Sequence, residues 1–216
     1  MKTKVKICCI STEEEAKMAL TFGADILGLV AKMPSGPGTI DDDLIQKIIK
    51  SIPSETRTFL LSPKTNPYEI IAHQQLTGAN CIQLVDIVKV EDYKVLRDNL
   101  PNIKLIQVIH VIDENSVKQA KQYAEVADMI LLDSGNPNLS VKELGGTGRV
   151  HNWELSRKIV ESITKPVFLA GGLNPENIKK AIAYVKPYGV DICSGVRTNG
   201  KLDLDKLKRF FEEVKA

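Results

Sequence analysis

The chain has 216 residues, 43% of them hydrophobic, which suits one α/β domain over residues 1–216 better than two smaller domains. Its charges nearly cancel to a formal net charge of +2, and no basic run or basic-aromatic cluster points to nucleic acid as a partner. No apolar run approaches membrane-spanning length and the N-terminus lacks the apolar segment of a signal peptide, so we expect no membrane association and a cytoplasmic location.

Cysteine and histidine are sparse in this sequence. Four cysteines are too few and too scattered for a secreted disulfide framework, and there is no C-x-x-C pair. The three histidines stand far apart, which disfavours a metal site. These residues are Cys8, Cys9, Cys81 and Cys193 with His73, His110 and His151.

Short β-rich runs alternate with amphipathic stretches along the whole chain. Strands are predicted at 4–10, 25–30, 56–62, 81–85, 103–111, 128–133, 166–171 and 190–195. Helices are predicted near 12–22, 41–51, 67–77, 90–99, 115–124, 153–163, 175–185 and 203–214. Eight strand–helix units, with strands that are mostly apolar on both faces, predict a single-domain (β/α)8 TIM barrel. A doubly wound open sheet is the alternative, but it usually has fewer repeats.

The first strand ends in two adjacent cysteines. Because strand side chains alternate, Lys6 and Cys8 share one face while Ile7 and Cys9 share the other. We expect the polar face to point to the barrel axis, which places Cys8 at the carboxyl end of the strand, where such barrels hold their active sites. Cys9 should then pack behind it, under the first helix. Lys6 either helps ionise Cys8 or pairs with a barrel carboxylate such as Asp191, and the structural pair is favoured.

The sixth strand ends in Asp133, which is either a turn cap or an acid that faces the barrel mouth. The residue pattern leaves both alternatives open. A long loop, residues 134–152, follows and is rich in glycine, asparagine and serine, as functional lids and disordered segments are. Within it, Gly145, Gly146 and Gly148 allow close backbone approach to a ligand, although a lone GGTG motif also fits a flexible turn.

Glycine-containing loops follow the seventh and eighth strands. Gly171 and Gly172 stand between a strand and a helix, and Ser194 and Gly195 lead toward the last helix. Backbone N–H groups and helix N-termini in such loops form a phosphate site in many barrels. A phosphate clamp on one side, with a thiol and a carboxylate on the other, predicts proton transfer on a phosphorylated small molecule.

Five segments carry a family resemblance. They are VKICCI at 5–10, ILLD at 130–133, GGTGR at 145–149 (with Trp153 after it), AGGLNPENI at 170–178 and KPYGVDICSGV at 186–196. Together they resemble the phosphoribosylanthranilate isomerases of tryptophan biosynthesis, and the resemblance runs from the first strand to the last helix. It implies an Amadori rearrangement of an N-linked aminoaldose phosphate to a 1-amino-2-ketose phosphate, without a metal or organic cofactor.

The resemblance also implies roles for individual residues. Cys8 would act as the general base and Asp133 as the general acid. The residues implied for the substrate phosphate are Gly146, Gly148, Gly171, Gly172, Ser194 and Gly195.

Four places depart from the family's pattern. Cys9 replaces the glycine of a Cys-Gly motif, the loop at 35–38 lacks the arginine that helps hold the anthranilate carboxylate, and Gln83–Asp86 lacks a histidine. The fifth strand ends in QVIHV instead of a lysine-alanine pattern. The candidates for contacts to this end of the substrate are Lys32, His110, Arg149 and Arg197. His110 fits equally well as a core histidine.

Three functions therefore remain open from sequence. The first is a phosphoribosylanthranilate isomerase with altered carboxylate recognition. The second, favoured by the missing arginine, is an isomerase or lyase that acts on a different phosphosugar conjugate. The third is a non-catalytic barrel that binds a phosphometabolite, which the retention of Cys8 and Asp133 disfavours. A monomer or a homodimer is expected.

Overall fold

A computed structural model describes residues 2–34, 36–136, 139, 142–145 and 148–215. Within these residues, eight parallel strands pair in chain order and the last returns to the first, which closes a barrel. The predicted single-domain (β/α)8 barrel is thus confirmed. The strands are β1 Lys4–Ile7, β2 Ile26–Val30, β3 Arg57–Ser62, β4 Cys81–Leu84, β5 Lys104–His110, β6 Met129–Asp133, β7 Val167–Leu169 and β8 Gly189–Ile192.

A helix follows each barrel strand and covers its outer face. The helices are α1 Glu13–Phe22, α2 Asp42–Ser51, α3 Pro67–Thr77, α4 Asp92–Asn99, α5 Asn115–Ala124, α6 Trp153–Ser162, α7 Ile178–Val185 and α8 Leu204–Lys215. Between β8 and α8 lie a short 3₁₀ helix, Ser194–Val196, and a hairpin of β9 Arg197–Thr198 and β10 Lys201–Leu202. No helix in the described ranges is long and apolar enough to cross a membrane.

The seventh helix begins three residues later than predicted. Asn174 accepts hydrogen bonds from the N–H groups of Glu176 and Asn177, both at 3.0 Å, so the chain makes a turn there. The helix then starts at Ile178. The turn keeps 171–174 close to the end of β8, where the phosphate site is expected.

The core has two layers, one between the strands and the helices and one inside the barrel, because successive side chains of a strand point to opposite faces. Val5, Ile7 and similar outward residues pack against the helices. Inward residues fill the barrel, where the rings of Phe59, Phe168 and Tyr188 meet edge to face at 5.9 and 5.6 Å between centroids. These rings fill part of the barrel interior.

Arg197 ties the segment after β8 to the end of β1. Its guanidinium donates to the carbonyl oxygens of Cys8 at 3.1 Å and Cys9 at 2.6 Å. It also pairs with Glu15 at 2.8 Å, in a site where both side chains are about nine-tenths buried. The described hydrogen bonds of its guanidinium are all to Glu15 and to main-chain carbonyl oxygens, so the structure favours a structural role over the expected contact with substrate.

We predict that Arg197→Met lowers the free energy of unfolding by roughly 3 kcal/mol, because it leaves Glu15 buried without its cation. Urea denaturation followed by circular dichroism measures the change. Arg209→Met is the matched control, since Arg209 pairs with Glu176 on the exposed surface, where an ion pair contributes little. Unchanged stability with a selectively raised KM in Arg197→Met would contradict the structural role.

Candidate active site

An ion pair between the first and last strands forms the floor of the barrel mouth. Lys6 on β1 and Asp191 on β8 are register partners, with 2.7 Å between Nζ and Oδ2 and side chains 0% and 7% exposed. The predicted pairing is thus present. Burial opposes the charge on Lys6, but Asp191 and Cys8 raise its pKa above the usual value, so Lys6 is held as a cation.

Cys8 lies next to this cation. A glycine on β2 makes the room, since a Cβ at Gly28 would lie 2.9 Å from both the Cys8 sulfur and Cε of Lys6. The neighbouring Cys9 side chain and the charge of Lys6 lower the pKa of the Cys8 thiol, although burial and Asp191 oppose them. The site therefore favours the thiolate, which is the form that accepts a proton.

Cys9 does not pack under the first helix, and that expectation is wrong. Strand β1 ends at Ile7, and Cys9 adopts a left-handed backbone with φ of 61°. This conformation breaks the side-chain alternation, so Ile10 takes the helix-facing position and Cys9 turns to the barrel mouth. Its thiol donates to the carbonyl oxygen of Pro37 at 3.6 Å.

Asp133 closes β6 and lines the same cavity as Cys8. Its Oδ1 accepts the N–H of Ser134 at 2.7 Å, so it also caps a turn, and the two alternatives left open by the sequence both hold. The following loop passes directly over its other oxygen. A Cβ at Gly145 would lie 2.6 Å from Oδ2, and the φ of 135° there suits glycine alone.

His151 is a residue that sequence reasoning missed as part of the site. Its Nε2 is 2.7 Å from Oγ of Ser156, and its ring lies against Gly171, where a Cβ would be 3.0 Å from Nδ1. Burial lowers the pKa of His151 to about 4, although the charge of Asp133 opposes this. A neutral imidazole therefore sits near the carboxylate. The course of the described residues 148–152 brings it there, and no local sequence pattern signals that position.

The glycine loops converge opposite the thiol and the carboxylate. Gly172, with φ of 63°, packs on the backbone of Arg149, where a Cβ would lie 2.6 Å from the carbonyl carbon. Gly148 approaches the hydroxyl of Ser194, with 3.8 Å from a Cβ there to Oγ. Three loops thus bring main-chain groups to one place without side chains between them, as an anion site requires.

Most of the predicted phosphate residues line one open cavity. The empty volume of this cavity, including the space at its mouth that is open to solvent, is about 630 Å³. The predicted site residues on its wall are Cys8, Asp133, Gly148, Gly171, Gly172 and Ser194. Gly195 instead packs on the carbonyl of Leu173, which a Cβ would approach to 2.1 Å. Gly146 lies outside the described residues.

The other end of the cavity is mainly apolar. Its wall includes Val30, Met33, Leu61 and Leu144. Gln83 also reaches this wall; it is 3% exposed, and its Oε1 has no hydrogen-bond partner in the described structure. A buried acceptor of this kind is suited to a donor group on a ligand.

The remaining predicted contacts lie outside the cavity wall. Lys32 is exposed just after β2, and Arg149, 60% exposed, pairs with Glu143. His110 is buried, with Nε2 3.1 Å from the carbonyl oxygen of Val85. No lysine or arginine is among the described residues that line the cavity. The described residues also hold no group of three metal-type ligands.

Comparison with known proteins identifies relatives along nearly the whole chain. The family model for N-(5'-phosphoribosyl)anthranilate (PRA) isomerase matches residues 5–213. N-(5'-phosphoribosyl)anthranilate isomerase 2 of Methanosarcina mazei is 38% identical over 214 residues, which cover 98% of this chain and 94% of the relative.

Solved structures agree with the sequence matches. Phosphoribosyl anthranilate isomerase from Thermotoga maritima superposes with a TM-score of 0.84 at 29% identity, covering 99% of this chain and 98% of its own. A phosphoribosyl anthranilate isomerase in complex with reduced 1-(o-carboxyphenylamino)-1-deoxyribulose 5-phosphate superposes with a TM-score of 0.81 at 28% identity and the same coverage.

We predict that His151 makes the fold sensitive to mild acid. Because its pKa is about 4 in the folded chain and 6.5 in the unfolded chain, the unfolded state binds more protons between these values, so stability falls as pH drops from 6.5 toward 4. The contribution is at most about 3 kcal/mol. Urea denaturation of wild type and His151→Gln at pH 4.5 and pH 8 measures it. Equal losses of stability in the two proteins would contradict the buried neutral state.

Proposed function

The chain belongs to the N-(5'-phosphoribosyl)anthranilate isomerase family, and we propose that Cys8 and Asp133 carry the proton transfers of its reaction. The reaction is an Amadori rearrangement that converts a phosphorylated aminoaldose into the 1-amino-2-ketose phosphate, as an aldose–ketose isomerase of tryptophan biosynthesis does. The observation that carries the residue assignment is that the thiol, the carboxylate and the glycine loops share one cavity.

Asp133 is the proposed general acid. It protonates the sugar ring oxygen, which opens the ring and gives an imine. A turn bond from Ser134 fixes one carboxylate oxygen, and Gly145 lies directly over the other. The carboxyl is thereby held in one orientation at the cavity wall, which is what an efficient proton donor requires.

Cys8 is the proposed general base. As a thiolate it removes the proton from C2 of the opened sugar, and the resulting enamine tautomerises to the ketose. The lowered pKa of Cys8 supports the assignment, because a base must be unprotonated at the operating pH. The cation of Lys6 stays paired with Asp191 throughout, so it lowers the proton affinity of the thiol without being consumed.

The substrate phosphate is proposed to bind where the three loops converge. Main-chain N–H groups around Gly148, Gly171, Gly172 and the start of the 3₁₀ helix at Ser194–Gly195 provide the donors. Gly195 contributes through its backbone although its Cα faces Leu173. A role for Gly146 in binding the phosphate remains a prediction, because this residue lies outside the described ranges.

The anthranilate ring is proposed to lie against the apolar wall of Val30, Met33 and Leu61. For its carboxylate we propose Lys32 or Arg149, because each is exposed and adjoins in sequence a residue of the cavity wall, Met33 and Gly148 respectively. An arginine at position 38 would not fit in this chain, because a Cβ at Gly38 would lie 2.5 Å from that of Cys9.

A different phosphosugar conjugate is the second candidate substrate. The absence of lysine and arginine from the described cavity wall favours it over a substrate whose carboxylate must be held deep in the site. For the oligomeric state, a monomer or a homodimer is proposed. We place the activity in the cytoplasm, where four free cysteines stay reduced.

We predict that Cys8→Ser and Asp133→Asn each lower kcat for N-(5'-phosphoribosyl)anthranilate by on the order of 10²-fold or more, because each removes a proton-transfer group. Loss of substrate fluorescence in a continuous assay of the purified protein measures turnover. Cys81→Ser is the matched control, since that thiol is buried at the other end of the barrel. Wild-type turnover in either site variant contradicts the assignment, and an inactive wild type at saturating substrate favours the second candidate.

The proposed phosphate site predicts that main-chain N–H groups contribute more to substrate binding than the hydroxyl of Ser194 does. We expect Ser194→Ala to raise KM by less than about fivefold, since it removes at most one neutral hydrogen bond. Gly172→Ala should raise KM at least about tenfold, because the new Cβ meets the Arg149 backbone and distorts the loop. Steady-state kinetics, with circular dichroism to verify folding, tests this. The opposite order of effects would place the phosphate elsewhere.

A further inference from the structure

The end of β4 carries a buried carboxylate, Asp86, that hydrogen bonds hold in place. Its Oδ1 accepts the N–H of Ile87 at 2.8 Å. The side-chain amide of Gln107 on β5 donates to the carbonyl oxygen of Asp86 at 3.1 Å, and the hydroxyl of Tyr93 on α4 donates to the amide oxygen of Gln107 at 2.8 Å. These bonds fix the residue, and a carboxylate buried in this way is costly without a close cation.

The cation comes from the loop after β6. Nζ of Lys142 pairs with Oδ2 of Asp86, with the two side chains 47% and 11% exposed. The pair crosses over β5, because β5 lies between β4 and β6 in the barrel. Glu143, by contrast, is bonded within the loop, since its N–H donates to the carbonyl oxygen of Asn136 at 3.1 Å and its carboxylate pairs with Arg149. The Lys142–Asp86 pair therefore anchors this part of the loop to a barrel strand.

The two residues that follow Glu143 reach the candidate active site. Leu144 is 4% exposed and forms part of the cavity wall. Gly145 lies over Asp133, since a Cβ at Gly145 would be 2.6 Å from Oδ2. Only two residues separate Lys142 from Gly145. A displacement at the anchored end of segment 142–145 would therefore move the end that covers Asp133.

We propose that Asp86 and Lys142 are positioning residues for the isomerisation: their ion pair holds segment 142–145 so that Gly145 stays over the Asp133 carboxyl and Leu144 stays in the cavity wall. The proposal rests on the proposed role of Asp133 as the general acid. Neither Asp86 nor Lys142 is among the residues that line the cavity, so both act through the segment. A proton donor is efficient only when it is held in the right orientation, and a carboxyl that loses its cover would transfer protons more slowly.

The test is a double-mutant cycle on the ion pair. Lys142→Met, Asp86→Asn and the double variant each remove the pair, and Asp86→Asn keeps a side-chain oxygen for the N–H of Ile87. Lys142→Arg retains the cation. Lys158→Met is the matched control, because Lys158 pairs with Glu114 where both side chains are more than half exposed. The readouts are kcat and KM for N-(5'-phosphoribosyl)anthranilate, with the melting temperature followed by circular dichroism.

We expect Lys142→Met and Asp86→Asn each to lower kcat about fivefold, which is the factor that one partly exposed ion pair provides. KM should change by less than about twofold, because two of the three loops proposed for the phosphate follow β7 and β8 and do not contain these residues. The double variant should be no slower than the slower single variant, since either substitution already breaks the pair. Lys142→Arg and Lys158→Met should lie close to the wild type.

Three results would overturn the proposal. A wild-type kcat in Lys142→Met, or losses of kcat that multiply in the double variant, would show that the pair does not act as a unit on the reaction. Lower melting temperatures with an unchanged kcat would show a purely structural pair. In these cases a loss of turnover in Asp133→Asn leaves the acid assignment standing, whereas wild-type turnover in Asp133→Asn overturns that assignment and this inference together.

Discussion

The site depends on one buried ion pair, Lys6 with Asp191, inside the barrel. Burying two charges is costly unless each has a close and well-oriented partner. Here Lys6 and Asp191 are partners to each other, and they lie opposite each other on β1 and β8, the two strands whose pairing closes the barrel. The Lys6 side chain also lies beside the Cys8 sulfur, since a Cβ at Gly28 would be 2.9 Å from both. One interaction therefore joins the closure of the fold to the chemistry, because a shift in the β1–β8 register would separate Lys6 from Asp191, the partner that holds it as a cation beside the thiol.

Missing side chains shape the site as much as those present. Gly28 makes room for the Cys8 sulfur and the Lys6 stem, Gly145 lets the long loop cross Asp133, and Gly172 admits the backbone of Arg149. A methyl group at any of these positions would lie within about 3 Å of a neighbouring atom, closer than unstrained contacts allow. These glycines bring main-chain donors and charged groups close together around a cavity that remains open.

The sequence was sufficient to predict the barrel, the Lys6–Asp191 pair and the position of Asp133, because each follows from strand count and side-chain alternation. Cys9 was placed wrongly, since alternation assumes a regular strand and this one ends at Ile7. Arg197 was expected near substrate as a possible replacement for the missing arginine, but its partner Glu15 lies 182 residues away in sequence. The approach of His151 to Asp133 likewise depends on loop packing over long range. Local patterns contain no information on such contacts.

The most direct test of this account is the equilibrium titration of the Cys8 thiol, followed by NMR of protein labelled with ¹³C at cysteine Cβ and assigned with Cys8→Ser. The account predicts opposite shifts for the two halves of the ion pair. Lys6→Met should move the titration of Cys8 to higher pH, and Asp191→Asn should move it to lower pH, because these groups act on the thiolate with opposite charge. A titration of Cys8 that neither substitution moves, or that both move in the same direction, would contradict the claim that the buried pair poises the thiol for proton transfer.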